Sequence, residues 1–341
     1  MKNKHNTTLK DIANHLDLSI STISRALHDH PAIKQETREL VKATAKRLDY
    51  YPDTTARNLQ KRSTNTIGVI VPEIRHFFFS SAIDGIEDIA YQAGYTIFVA
   101  KSNEDYGREV LNTRSLVSNR VAGLIVSVAQ TTKNGDHLTA LKRRNIPVVL
   151  FDRVLDDVEA CKVVVDDYKG AYDSTTHLIE SGYKKIAHLA GPSHLKISME
   201  RLKGYRAALR DAGYKFKEEL VVHVELDELH GTTGTKKLLA LPQVPDAIFA
   251  VNDPVAIGAH KEISSRGMKI PDEIAISGFS NNPSTEIVNP PLTTVDQHGY
   301  KMGQVAAQLL IEQIEQGAIS QHPRTEVVIG ELIIRGSSRK S

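Results

Sequence analysis

Two sets of polar residues in this 341-residue chain have the types and spacing to do chemistry. The first is short and local. In "LSISTISRAL" the positions Ile20, Ser21, Ser24 and Arg25 fall on one side of a helical repeat and Ile23, Ala26 and Leu27 on the other. Short hydroxyls and a guanidinium can lie against phosphates and base edges, where long acidic side chains would be repelled. The second set is scattered at the ends of apolar runs. It comprises Phe78-Phe79, Ser127, Asp152-Arg153, Arg201, Leu226, Asn252-Asp253 and Ser280-Asn281. Donors, acceptors and an aromatic pair converging in one cleft suit a polyhydroxylated ligand, whose hydroxyls need fixed partners and whose faces pack on rings. By pattern alone, Asp152 and Asn252 read more readily as ordinary strand-end turn residues.

Each set needs elements to hold it. Thr8 is placed to cap a first helix, with Asp11 completing a Thr-x-x-Asp box, and Leu9, Ile12, Ala13 and Leu16 form its apolar stripe. Ser19 is a good cap for a second helix. A third periodic segment, "QETRELVKATAKRL", runs to a breaker at Tyr50-Tyr51-Pro52. None of these helices is long enough to stand alone in water, but three can share one small core. Helix, tight turn, helix and a third packing helix make the helix-turn-helix plan, whose second helix enters the major groove. Residues 1–65 carry twelve Lys/Arg against seven Asp/Glu, whereas the rest of the chain is slightly acidic. That asymmetry fits a head that meets a polyanion.

From Thr66 onward the rhythm becomes strand then helix. "TIGVIVPEI", "YTIFVAKS", "AGLIVSVA" and "PVVLFDR" read as parallel strands buried on both faces, followed by a second set in "KIAHLAGP", "VVHVELD", "DAIFAVND" and "EIAISGFS". "TEVVIGELIIRGSS" reads as the last strand. Two successive sets of βα units predict two doubly wound lobes with a cleft facing the strand C-termini. The expected organisation is an all-α helix-turn-helix head (1–52), a linker or hinge (53–65) and a two-lobed core (66–341).

Several classes are disfavoured. The single cysteine, Cys161, cannot form an intrachain disulfide and suits a reducing compartment. No apolar run approaches the ~18 residues of a membrane span. No apolar stretch follows the basic residues of "MKNKHNTTLKDIA", so no export signal is expected and the chain reads as cytoplasmic. No dinucleotide fingerprint, Walker loop or metal-spaced His/Cys set is present, and no cofactor or metal is expected. A doubly wound enzyme acting on a sugar-like substrate is the rival class, because such folds host many activities.

The stretch "TLKDIANHLDLSISTISRAL…TRELVKATAKRLDYYPDTTARNL" resembles, without a gap from Thr8 to Leu59, the DNA-binding head and hinge of the LacI/GalR family of bacterial transcription regulators. The core resembles that family too, in "HFFFSSAIDGIED", "GPSHLKISMERLKGY", "AVNDPVAIGA" and "ISGFSNNP", and is similar to periplasmic sugar-binding proteins. The resemblance implies a homodimeric regulator, expected to repress, that binds a pseudo-palindromic double-stranded operator under control of a small effector, a sugar or sugar phosphate. It implies DNA contacts from Thr8, Ser19, Ile20, Ser21, Ser24 and Arg25. It also implies a hinge segment that folds on the operator, with Leu59 wedged into the minor groove beside Ala56 and Asn58. For the effector it implies Phe78, Phe79, Asp152, Arg201, Asn252 and Asp253, to which the strand-end reading adds Ser127, Leu226 and Ser280. Four features depart from the family pattern: Asp17 where a turn Gly is usual, the reading pair Ile20-Ser21, which is less polar than many and leaves the operator bases open, Phe77 where a Pro precedes the Phe pair, and Ser280 where many members have an Asp. No leucine heptad tail follows the last strand, so a dimer through the core lobes is the expected state.

Overall fold

The computed structural model describes residues 7–50 and 64–339, and the chain divides into two compact units, 1–63 and 64–341. Ala56, Asn58, Leu59 and nearly all of the expected hinge lie outside the described residues.

In the first unit, α1 (Leu9–Leu16), α2 (Ile20–Leu27) and α3 (Gln35–Arg47) enclose Ile12, Ala13, Ile23, Ala26, Val41 and Ala45. Thr8 and Asp11 form a reciprocal capping box, and the Ser19 hydroxyl accepts from the Thr22 amide at 3.1 Å. Both caps satisfy amides that a short helix leaves without partners. Asp17 ends α1 in the left-handed region, φ 52° and ψ 43°. Asp tolerates this conformation better than most residues, so the tight turn survives without glycine.

The second unit contains two parallel sheets. The larger has the order β11-β5-β4-β3-β1-β2, with β1 Thr66–Val71, β2 Thr96–Lys101, β3 Gly123–Val126, β4 Val148–Phe151, β5 Cys161–Val165 and β11 Thr325–Val328. The smaller has the order β7-β6-β8-β9, with β6 Ile186–Ala190, β7 Val221–His223, β8 Ala247–Ala250 and β9 Ala275–Ser277. A separate antiparallel pair joins β10 (Thr294–Asp296) to β12 (Glu331–Ile333). Helices α4 (Phe77–Gln92), α5 (Tyr106–Ser118) and α6 (Asp136–Lys142) cross over within the first lobe. Helices α7 (Asp167–Glu180), α8 (Lys196–Asp211), α9 (Glu228–Leu239) and α10 (Asp253–Ser265) belong to the second.

Three sequence expectations need correction. The lobes are not built from successive halves of the chain. α12 (Gly299–Gln316), which follows the single turn α11 (Ser284–Ile287), returns to pack on α4, and β11 extends the first sheet beside β5. Gly85 and Gly303 permit that return: a Cβ on Gly85 would meet the Tyr300 carbonyl at 2.1 Å, and one on Gly303 the Ala82 carbonyl at 2.0 Å. Next, "TEVVIGELIIRGSS" holds two strands in different sheets, and β5 and β10 carry no long apolar run to announce them. Lastly, β2 is not buried on both faces. It is the edge strand, with Phe98 49% and Val99 38% exposed.

Candidate functional site: a DNA-reading helix and an interlobe cleft

In the head, the local caps fix which face of α2 points outward. Ile20 is 49% exposed, Ser21 and Arg25 are exposed, and Ser24 is half-buried. Arg25 forms no ion pair among the described residues, so its guanidinium is available. Thr8 and Ser19 are exposed too, but their hydroxyls are engaged in the caps; Ser19 Oγ also lies 2.8 Å from both Ser21 Oγ and Thr22 Oγ1.

In the second unit, a cleft of about 710 Å³ opens between the lobes. Strand C-termini supply its walls, as a doubly wound fold requires. From the first lobe come Glu73 and His76 after β1, Asn103 and Glu104 after β2, Gln130 after β3 and Arg153 after β4. The second lobe contributes Leu226 and Asp227 after β7, Asn252 after β8 and Asn282 after β9. Arg153 Nη1 donates to both Glu104 oxygens, at 2.9 and 2.7 Å, and its guanidinium carbon lies 5.5 Å from the Phe79 ring centroid. Asn103 and Glu104 both have positive φ, 55° and 59°, which aims Glu104 back at Arg153 and the Gln130 amide. Half-buried His76 is the N-cap residue of α4, but its ring makes no capping bond, and Nδ1 has no partner among the described residues. Burial, with Arg153 and Arg201 nearby, pushes its pKa down to about 4, so it is neutral at physiological pH.

Of the residues expected at the effector site, Phe79, Leu226 and Asn252 line this cleft. Asn252 also pins it: Oδ1 accepts from the Val255 amide and Nδ2 donates to the Leu226 carbonyl, both at 3.0 Å. Asp152, 5% exposed with φ 58°, sits behind Arg153; burial pushes its carboxyl upward while Arg153 and Arg201 pull it back. Arg201 is 2% exposed and stands beneath the floor. Its Nε and Nη2 reach Asp167 Oδ1 at 2.7 Å, Nη1 donates to the Val251 carbonyl at 2.6 Å, and the guanidinium stacks 3.7 Å from the Phe279 centroid. Asp253 is fully buried and accepts from Thr294 Oγ1 at 2.6 Å and the Asn282 amide at 2.7 Å; burial raises its pKa to about 6 despite these bonds. Ser127 is fully buried, with Oγ lacking a partner among the described residues. Phe78 and Ser280 meet elsewhere, in a second cavity of about 410 Å³ shared with Asp296 and His298.

Glu73, His76, Glu104 and Gln130 escaped the sequence reading. One available signal was "SNEDYG", a polar cluster directly after a strand, which is where a doubly wound fold collects ligand contacts. At the rim of the cleft the lobes touch through His194 Nε2 and the Gln130 carbonyl at 2.5 Å, and through Lys196 and Asp156 at 2.6 Å. Glu225, Asp227 and His230 bring donor atoms within 4.8 Å of one another, but His230 Nδ1 already bonds Asp227, which caps α9.

A head built to present one helix face, joined in sequence to a two-lobed ligand-binding core, defines a ligand-responsive DNA-binding regulator. Residues 8–53 match the model for bacterial regulatory proteins of the lacI family, and residues 64–334 match that for periplasmic binding proteins and the sugar binding domain of the LacI family. The chain belongs to the LacI family, whose members here are transcription regulators and not enzymes. It is 32% identical to catabolite control protein A of Priestia megaterium, over 92% of this chain and 94% of that one. It is also 32% identical to the HTH-type transcriptional repressor CytR of Escherichia coli K12, over 97% of this chain and 96% of the relative. A solved transcriptional regulator CelR–cellobiose complex superposes with a TM-score of 0.75 at 26% identity, covering 97% of this chain and all of that one. Among the described residues no helix is long and apolar enough to cross a membrane.

Proposed function

We propose that the chain is a cytoplasmic, homodimeric repressor whose grip on a pseudo-palindromic operator is set by a neutral, polyhydroxylated effector in the interlobe cleft. The charge inventory of the cleft carries the choice of effector. Both guanidiniums on its walls already face carboxylates, Arg153 on Glu104 and Arg75 on Glu73, and Asp227 and Glu228 line the same space. A phosphate dianion entering there would meet excess negative charge. A sugar would meet acceptors for its hydroxyls and the Phe79 ring for one face. The cellobiose held by the related regulator supports this class over a sugar phosphate.

Ile20, Ser21, Ser24 and Arg25 read the major groove, with Thr8 and Ser19 steadying the head through their caps. Leu59, flanked by Ala56 and Asn58, supplies a wedge for the minor groove from a hinge at 53–65 between the head (1–52) and the core (66–341). A second copy covers the exposed apolar edge formed by Phe98 and Val99 of β2 with Tyr91 of α4, which is 76% exposed. The effector acts by favouring one lobe arrangement, and it can shift operator affinity only as far as its affinities for the two arrangements differ.

Calorimetry of the full chain against a panel of neutral sugars and their phosphates, followed by mobility shifts on an operator selected from genomic fragments, tests the reading. A neutral sugar is expected to bind and to change operator affinity by ~5–150-fold. Tighter binding of the phosphates would overturn the effector class, and selection of no palindrome would overturn the regulator reading.

A further inference from the structure

Away from the cleft, the first lobe carries a groove of about 470 Å³ between α5 and α6. Both helices are crossovers of the same parallel sheet, α5 from β2 to β3 and α6 from β3 to β4, so they run in the same direction and the groove has two unlike ends. Tyr106 and His137 stand at the end near the helix starts, their rings 5.4 Å apart and edge to face. Val110, Ala140 and Leu141 line the middle. Arg114 follows on α5, and Arg143 and Arg144 close the other end.

The arginines here differ from most of those in the rest of the core, where, among the described residues, only Arg108, Arg120 and Arg339 also lack an ion pair. Arg75, Arg153, Arg201, Arg206, Arg210, Arg266, Arg324 and Arg335 each pair with a carboxylate. Arg114, Arg143 and Arg144 have no carboxylate partner among the described residues, and the only acid on the groove wall is Asp136, in the first turn of α6 at the opposite end. Independently, the His137 side chain is only 6% exposed, and neither ring nitrogen has a hydrogen-bond partner among the described residues, although Nε2 lies 3.0 Å from a carboxylate oxygen of the fully buried Glu109. Burying a polar nitrogen without a partner is costly, and a ligand in the groove would supply one.

We propose that this groove is a second ligand site, separate from the effector cleft, for a small organic phosphate that carries a ring. The phosphate oxygens accept from Arg114, Arg143 and Arg144, whose forked donors match a phosphate's geometry. The body of the ligand packs on Val110, Ala140 and Leu141, and its ring reaches Tyr106 and His137. The volume falls within the range of small-molecule sites. The effector cleft, lined by carboxylates, and this groove, lined by unpaired guanidiniums, therefore sort ligands by charge.

The test is calorimetry on the full chain with adenosine 5′-monophosphate and ribose 5-phosphate as probes, and adenosine and inorganic phosphate as controls. At least one organic phosphate is expected to bind saturably, about tenfold or more tighter than either control, since charge-assisted bonds and ring packing each contribute about that factor. The double variant Arg143→Ala/Arg144→Ala is expected to weaken that binding by about tenfold or more while leaving operator affinity and thermal unfolding unchanged. His137→Phe retains the ring but removes the nitrogens, and is expected to weaken the ring-bearing probe without altering the weak binding of inorganic phosphate. Absence of saturable binding by both organic phosphates overturns the proposal. So does undiminished binding in the arginine variant, or inorganic phosphate binding as tightly as the organic probes. Because the neutral-sugar response belongs to the cleft, its loss or survival is read separately.

Discussion

The reading helix and the interlobe cleft organise their polar side chains in opposite ways. In the head, positioning bonds span three residues, Thr8 to Asp11 and Ser19 to Thr22, and they leave Ser21 and Arg25 exposed on α2. In the core, polar groups are held by partners distant in sequence: Arg201 by Asp167 and Val251, Asn252 by Leu226, Asp253 by Thr294. The head presents side chains ready for an external partner. The cleft rests on side chains already engaged inside the protein. One consequence is that substitution on the exposed face of α2 should damage binding alone, whereas substitution beneath the cleft should damage the fold first.

Arg201→Ala probes that difference most strongly. Removing the guanidinium leaves Asp167, whose side chain is 8% exposed, without its cation and the Val251 carbonyl without a donor. Breaking a buried pair from one side costs ~3–5 kcal/mol. Urea unfolding should show a loss of that size, with effector binding falling as a consequence. Wild-type stability combined with lost effector binding would instead make Arg201 a ligand contact, and the contrast between head and cleft would fail at its centre.

A pH series examines the same buried chemistry through a group the ligand does not touch. His188 lies in the middle of β6, stacked 4.7 Å from the Phe249 centroid, with Nδ1 2.9 Å from the Phe249 carbonyl. Burial pushes its pKa down to about 3. Between about 3 and 6.5 the unfolded chain therefore binds a proton at this site that the folded chain does not, so this contribution to stability is complete above 6.5 and is lost as the pH falls. Asp167 and Asp253, raised to about 6, act in the opposite sense: each favours the fold below about 4 and loses that contribution as the pH rises through about 6. His188→Gln removes only the histidine contribution. Relative to wild type, its stability should slope downward with rising pH between 4.5 and 6, by up to ~1.4 kcal/mol per pH unit. Parallel slopes would mean that His188 is protonated within the fold.

The head was legible in the sequence because its determinants are local. A capping box, a Ser cap and a helical stripe state where each helix begins and which face is buried, and the structure has those caps and that core. The two parallel lobes were legible as apolar runs, yet the return of α12 and β11 to the first lobe was not. Chain order does not encode it, and only the reciprocal glycines Gly85 and Gly303 hint at the contact. Within the cleft, strand ends could be predicted but not pairings. Arg201 and Asp253 were legible as site candidates, but not that Asp167 bonds the first and Thr294 and Asn282 the second. The Glu104–Arg153 pair, by contrast, joins two loops 49 residues apart and turns on left-handed backbone that composition does not reveal.

Arg25→Ala tests the head's side of the comparison. Its side chain is exposed and without an ion pair among the described residues, so its loss should leave urea unfolding within ~0.5 kcal/mol of wild type. If it contacts a base edge, the operator should lose ~1–3 kcal/mol and random DNA much less. Equal losses on both would make Arg25 a phosphate clamp, and reading of the sequence would rest on Ile20, Ser21 and Ser24.

The smallest expected effect is at Asp17, where the turn between α1 and α2 uses a left-handed residue that is not glycine. Two terms compete when glycine is placed there. Glycine removes the residual strain of a Cβ at φ 52°, but it also gives the unfolded chain more freedom, worth ~0.5–1 kcal/mol against folding. Asp carries only part of the ~1–2 kcal/mol left-handed penalty of ordinary residues, so Asp17→Gly should shift stability by only a few tenths of a kcal/mol in either direction. Asp17→Val faces the full steric penalty with no compensating bond, and should cost ~1–2 kcal/mol. Because the turn sets the angle at which α2 is presented, the valine variant should also lose operator affinity while keeping its preference among operators. A changed preference would mean that Asp17 itself faces the DNA, and that the turn contributes to the reading surface as well as supporting it.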